Sequence, residues 1–197
     1  MSEILAPCGA QESLSAAVNA GADAVYLGEE YFSARKNADN FTAEQLCEAV
    51  RFCHYSGVKV YVTLNTLVFD REIPLLAKAI ENCAKADVDG FIVQDMGVAR
   101  LARQIVPELP LHASTQMTVN SPEGAVMAKK LGFTRVVLGR ELSFEQIKAI
   151  IDSCDIETEL FVHGALCVCV SGQCYMSSVL GGRSGNRGLC AQPCRLD

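Results

Sequence analysis

The sequence predicts an α/β fold, a TIM-like (β/α)8 barrel that is incomplete in this chain. Three observations carry that reading. Short β-branched or apolar runs alternate with amphipathic helical patterns, the sign of repeated βα units on a parallel sheet. The runs are almost continuously apolar, as strands covered by helices are. No Gly-rich dinucleotide or phosphate-loop fingerprint follows the first run, which disfavours a flat doubly wound sheet.

Seven strands are expected, at Ile4–Ala6, Ala24–Leu27, Lys59–Leu64, Gly90–Val93, Leu111–Ser114, Arg135–Leu138 and Glu159–Val162. Between them Leu14, Ala17, Val18 and Gly21 recur at helical spacing, as do Leu46, Ala49, Val50 and Cys53, and Ile147, Ile150 and Ile151, so each set makes one apolar stripe. Thr42 with Gln45 and Ser143 with Gln146 read as capping boxes, and Ser121-Pro122-Glu123 as an N-cap followed by proline at the first helical position. Asp95 is placed to cap the helix carrying Val98, Leu101 and Ile105. Gly21, Gly57 and Gly132 fall where helices should stop. After Val162 the pattern gives way to a Cys/Gly/Ser-rich tail with no eighth strand, so residues 1–164 are read as the barrel and 165–197 as a Cys-rich cluster-binding segment continuing in a longer parent chain.

Composition bounds the function. Half of the 197 residues are hydrophobic and a fifth are charged, which excludes disordered and fibrous classes. Seventeen Lys and Arg against 23 Asp and Glu give a formal charge of -6, which disfavours a protein that grips nucleic acid over its whole surface. No apolar run is long enough to span a bilayer, and Met1-Ser2-Glu3 lacks the basic and apolar blocks of a signal peptide, so the expected address is cytoplasmic. Between Leu160 and Leu196 there is no Asp or Glu, whereas Arg183, Arg187 and Arg195 are present; a local cationic surface for an anion or an RNA backbone is one reading, ordinary solvated arginines the other.

Cysteine is the anomaly, ten in all. Cys8, Cys47, Cys53, Cys83 and Cys154 are scattered, whereas Cys167, Cys169, Cys174, Cys190 and Cys194 crowd into the tail. The tail lacks the two-residue Cys spacing of zinc ribbons and thioredoxin-like sites. A 4Fe-4S cluster tolerates wide spacings, and Gly164, Gly172, Gly181, Gly182, Gly185 and Gly188 would let the backbone wrap it. Cys169 is the expected non-ligand; buried thiols in a Gly-rich loop, and a structural zinc site, stay open as alternatives.

Barrel chemistry happens at the carboxyl ends of the strands, here Pro7-Cys8, Gly28-Glu29, Asn65, Gln94-Asp95, Ser114 to Gln116, Arg140-Glu141 and His163-Gly164. Three groups stand out. His163, expected to end the seventh strand four residues before Cys167, is the candidate catalytic proton-transfer group; Arg140 and Gln116 are candidate substrate-binding groups. The plainer reading packs the His163 ring against the Cys-rich loop, pairs Arg140 with Glu141 or Glu159 and leaves Gln116 hydrogen-bonded to loop backbone. Hydrolase motifs are absent: there is no His-Glu-x-x-His, and Gly182-Arg183-Ser184-Gly185 is not a nucleophile elbow. A Cys paired in space with His163, His112 or His54 remains a protease alternative.

The stretch Glu159-Leu-Phe161-Val-His163-Gly164-Ala-Leu-Cys167, with Gly172-Gln-Cys174-Tyr-Met-Ser177 after it, closely resembles the signature of the collagenase-like peptidase family, the thirty-second of unassigned catalytic type. The resemblance runs from Leu5-Ala6-Pro7 through Ser184-Gly-Asn-Arg187-Gly to Cys190-Ala-Gln-Pro-Cys194-Arg195. It implies an iron-sulfur protein that hydroxylates a pyrimidine of tRNA or rRNA, or a small ubiquinone precursor, without molecular oxygen. It implies Cys167, Cys174 and Cys190 as 4Fe-4S ligands, with Cys194 or a cysteine beyond residue 197 as the fourth, and prephenate as a co-substrate. Neither DNA nor a membrane is an expected partner, and the oligomeric state stays open. The family name keeps peptide-bond cleavage as an alternative, and a non-catalytic accessory role with a structural cluster as a second.

Overall fold

The computed structural model describes residues 2–35 and 39–195. Seven strands, β1 (Leu5–Cys8), β2 (Ala24–Gly28), β3 (Lys59–Leu64), β4 (Gly90–Val93), β5 (Leu111–Ala113), β6 (Arg135–Val137) and β7 (Glu157–Glu159), pair in chain order and all in parallel. Helices α1 (Gln11–Asn19), α2 (Ala43–Tyr55), α3 (Ile73–Lys85), α4 (Met96–Ile105), α5 (Pro122–Lys130) and α6 (Phe144–Ser153) return the chain from one strand to the next, and α7 (Met176–Gly181) lies in the tail. The sheet is a curled, incomplete barrel: among the described residues no ladder joins β7 to β1. Residues 1, 196 and 197, the outer ends of the two expected segments, lie outside the described residues.

The local start signals form as the sequence requires. Thr42 Oγ1 accepts from Gln45 N at 3.3 Å while Gln45 Oε1 accepts from Thr42 N at 2.9 Å, and Ser143 and Gln146 repeat the exchange at 3.3 and 2.8 Å. Ser121 Oγ accepts from Gly124 N, and Asp95 Oδ1 from Gly97 N and Val98 N. Each satisfies amide donors that a helix start leaves orphaned.

Alternation along each strand sorts side chains into two layers. Val25, Leu27, Val60, Val62, Phe91 and Val93 join the main core with Leu14, Leu46, Val50, Leu76 and Ile80 of the helices. The opposite face, the barrel interior, is more polar than the apolar runs suggest. It holds Ala24, Tyr61 and Ile92, with the His112 ring edge-on to Tyr61 at 4.6 Å. At the amino ends of the strands Glu3 accepts from Lys59 Nζ at 3.0 Å and Arg135 Nη1 at 2.7 Å, and Arg135 also grips Glu157 at 2.8 Å. These charges join β6 and β7 to the segment before β1, on the side that lacks a ladder.

The seventh strand departs from expectation. Pairing places Glu157, Thr158 and Glu159 against Arg135, Val136 and Val137, so β7 ends at Glu159. The apolar run Leu160-Phe161-Val162 that suggested a strand is instead 42%, 41% and 96% exposed. The Arg135 pairs with Glu157 and Glu159 supply the reason: charge holds the acidic stretch in register, where a hydrophobic count alone favours the run after it. His163 therefore stands four residues past the strand rather than at its end.

Candidate functional site

From Leu160 onward the chain crosses the carboxyl end of the sheet and is fastened beyond the ends of three strands, β6, β5 and β3. After β6, Glu141 accepts from Ser171 N and Ser171 Oγ, both at 2.9 Å, and from Asn120 Nδ2 at 3.1 Å. Burial alone would raise the Glu141 carboxyl, but these hydrogen bonds, the Ser171 amide foremost, hold it below its ordinary value. After β5, Thr118 Oγ1 donates to the Ser171 carbonyl at 2.8 Å and accepts from Gln173 Nε2 at 2.9 Å. Gly172 sits at φ +78°, where a Cβ would strike the Gln116 carbonyl, so only glycine lets the tail lie this close. After β3, Leu67 N donates to the Asn186 carbonyl at 3.0 Å, and Arg187 donates to the Leu67 carbonyl at 2.6 Å and to both oxygens of Glu72 at 2.9 and 2.6 Å. Arg187 also covers the Phe69 ring at 4.3 Å, and its hydrogen bonds bring the Glu72 carboxyl down to about 2.

This changes the reading of the tail arginines. Arg187 is neutralised by Glu72, and Arg195 Nη2 donates to the Leu166 carbonyl at 2.9 Å, so two of the three fasten the tail to the barrel or to itself. The cationic surface that the absence of nearby acids suggested is correspondingly reduced, because the balancing carboxylate comes from a residue 115 positions away.

The five tail cysteines are free thiols, exposed or half-buried. Cys167 Sγ accepts from Arg140 Nη2 at 3.2 Å, the neighbouring Cys174 thiol adds to the upward push of desolvation on Cys169, and a Cβ at Gly185 would lie 3.7 Å from the Cys190 Cβ and 3.8 Å from the Cys174 carbonyl. Through Arg195 and Leu166 the Cys194 turn is tied back to the residue before Cys167. Among the described residues no three His, Cys, Asp or Glu side chains form a group that could hold a metal ion. Thiolates around a four-iron cube stand farther apart than those on one ion, so the chemistry of the donor set is the test that applies: several soft sulfur donors outside any disulfide on one tethered segment fit an iron-sulfur cluster. The scattered cysteines differ. Cys8, Cys53 and Cys83 are at most 3% exposed, and burial pushes the Cys8 and Cys53 thiols up to about 11, so they are inert core residues.

At the carboxyl end of the sheet, adjacent strand ends present buried polar atoms without a protein partner: Gln94 Oε1 after β4, Gln116 Oε1 after β5 and Arg140 Nε after β6. A buried polar atom left unpaired costs about 1–3 kcal/mol, so these three, on neighbouring strand ends, are the candidates to meet a polar ligand. Gln94 belongs with the expected Gln116 and Arg140; its position at a strand end was the available signal, and its unmatched oxygen is visible only in three dimensions. The histidines do not assemble a nucleophile. His112 is buried in the barrel interior, where burial and then Arg135 pull its pKa down to about 3. His54 pairs with Asp89 at 2.8 Å beside the amino end of β4, His163 is exposed, and among the described residues none is hydrogen-bonded to a cysteine.

The sequence profile of "Peptidase family U32" matches residues 9–197. The chain belongs to peptidase family U32. It is 45% identical over 194 residues to the "23S rRNA 5-hydroxycytidine C2501 synthase" of Escherichia coli (strain K12), covering 98% of this chain and 29% of that protein. It is 40% identical to the "tRNA hydroxylation protein P1" of Bacillus subtilis (strain 168), covering 99% and 46%. It is 38% identical to the "Collagenase" of Porphyromonas gingivalis (strain ATCC BAA-308 / W83), covering 98% and 49%. The chain thus spans half or less of the length of these relatives. The solved U32 peptidase Mk0906 superposes with a TM-score of 0.69 at 18% identity, over 81% of this chain and 68% of that one, which shows the shared fold. No helix among the described residues is long and apolar enough to cross a membrane.

Proposed function

We propose that this chain carries the catalytic barrel and cluster segment of an enzyme that hydroxylates a pyrimidine of tRNA or rRNA in the cytoplasm without using molecular oxygen. The observation that carries the proposal is the row of unpartnered Gln94, Gln116 and Arg140 atoms at adjacent strand ends, with Gln116 and Arg140 in contact with the cysteine-rich tail. Relatives named for rRNA and tRNA hydroxylation agree with it.

The amide oxygens of Gln94 and Gln116 accept hydrogen bonds, which suits the exocyclic amine or ring N–H on the edge of a pyrimidine splayed out of its RNA. Arg140 Nε–H remains free to donate to a carboxylate, which suits prephenate as the co-substrate. His163 lies on the exposed loop that leads from β7 to Cys167, and its imidazole is the group we assign to proton transfer. Cys167, Cys174 and Cys190, with Cys194 as fourth, would hold a 4Fe-4S cluster that supplies one-electron redox chemistry when bound. The ties of Ser171, Gln173 and Arg187 to the segments after β6, β5 and β3 hold this cysteine-bearing tail at the carboxyl end of the sheet.

Proteolysis needs an activated nucleophile or a metal-bound water, and the core thiols are protonated while the histidines lie apart from cysteine. The experiment is nucleoside mass spectrometry of bulk RNA from a strain lacking the gene. Loss of one hydroxylated pyrimidine is expected. Unchanged RNA, with cysteine-independent cleavage of collagen or casein by the purified protein, would overturn the proposal.

A further inference from the structure

Arg140 was expected to reach for substrate, yet most of its guanidinium is spent on the chain itself. Nη2 donates to Cys167 Sγ at 3.2 Å, Nη1 donates to the Ala165 carbonyl at 3.4 Å, and the guanidinium carbon lies 5.1 Å from the centroid of the Phe161 ring. All three contacts fall on residues 161–167. Guanidinium has no acceptor, so the contact to Cys167 is N–H···S with sulfur accepting. The next residue, Glu141, grips the same loop at Ser171. Two consecutive side chains at the end of β6 therefore pin the stretch that begins at Cys167 and leads to Cys174.

We propose that Arg140 is a positioning residue for Cys167: it fixes the sulfur at the mouth and, by its N–H···S bond and fixed positive charge, raises the reduction potential of a cluster ligated there. The inference rests on the cluster reading above and adds to it a residue that tunes the cluster without ligating it. Hydrogen bonds to ligating sulfurs and nearby charge are among the factors that set cluster potentials, and groups that orient a ligand also govern how firmly metal is retained. A donated hydrogen bond withdraws electron density from sulfur and favours the reduced state, which carries one more negative charge. Removing it drives the potential down.

The test compares wild type with Arg140→Met, which keeps an apolar stem but neither charge nor donor, and Arg140→Lys, which keeps charge and one donor. All three are reconstituted anaerobically with iron and sulfide, and iron content, melting temperature, loss of cluster absorbance to a chelator and the potential from a spectroelectrochemical titration are measured. R140M is expected to load iron, to lose it to the chelator faster than wild type and to titrate at a more negative potential, with R140K between the two. A loaded R140M with wild-type potential and wild-type chelator resistance overturns the proposal alone. If R140M does not fold or load, R140K decides: a lowered potential supports the proposal and a wild-type potential overturns it. Wild-type protein that holds no iron removes the cluster reading and this proposal together.

Discussion

Glu29 offers a quantitative check on the fold, because the substitution Glu29→Gln alters charge while nearly preserving shape. The side chain follows β2, is 4% exposed, and carries an Oε2 without a protein partner. Burial, with the Glu30 charge adding to it, raises its pKa from 4.5 to about 7. The sign follows from linkage: the folded state keeps a proton that the unfolded chain gives up, so stability falls as pH rises from 4.5 through 7. Discounted for the solvent that still screens this carboxyl, the displacement is worth about 2 kcal/mol, expressed above pH 7. Glutamine is neutral at every pH and avoids that loss. Urea unfolding at pH 4 and pH 8, wild type against E29Q, isolates the effect, since every other titrating group cancels in the difference. At pH 4 the two proteins should unfold alike. At pH 8 E29Q should be more stable by about 2 kcal/mol, a midpoint shift of about 1 M for a slope of about 2 kcal/mol per M. Equal midpoints at pH 8, or a less stable E29Q, would refute the argument that burial governs this carboxyl.

Two further substitutions address the tail and the mouth. Gly172→Ala places a methyl against the Gln116 carbonyl at a φ of +78°, a backbone cost of about 1–3 kcal/mol before any clash; limited proteolysis should then cut between residues 160 and 195 faster than in wild type while the barrel stays folded, and an unchanged cutting rate would mean the tail is not held there. His163→Gln changes an exposed side chain, so melting should move little, yet hydroxylation should fall about 100-fold or more if the imidazole transfers a proton; activity within a fewfold of wild type would leave His163 no catalytic part.

Much of the barrel was legible because its signals are local. The Thr42–Gln45 and Ser143–Gln146 boxes and the Asp95 cap each lie within one helical turn, and the apolar runs at Ala24, Lys59 and Gly90 coincide with β2, β3 and β4. The seventh strand was misplaced because its register is set by Arg135, whose partners Glu157 and Glu159 are 22 or more residues distant and whose Glu3 contact spans 132. The site divides the same way. The split between scattered and clustered cysteines was visible in spacing, and their environments follow it in part: Cys8, Cys53 and Cys83 are core and Cys167, Cys190 and Cys194 exposed, whereas Cys47 and Cys154 are half-buried like Cys169 and Cys174. That Arg140 meets Cys167, that Arg187 is silenced by Glu72, and that Gln94 keeps an unmatched oxygen all depend on where side chains turn once distant segments meet. No local pattern encodes that.

The most direct measurement joins the cluster to the reaction. A strain lacking the gene is complemented with the wild-type full-length gene, with Cys190→Ser or with Cys47→Ser, and nucleosides from its rRNA and tRNA are weighed by mass spectrometry. A hydroxylated pyrimidine should vanish on deletion, return with wild type and with C47S, and stay absent with C190S although that protein accumulates. RNA that is unaltered by the deletion, or restored fully by C190S, would contradict the account.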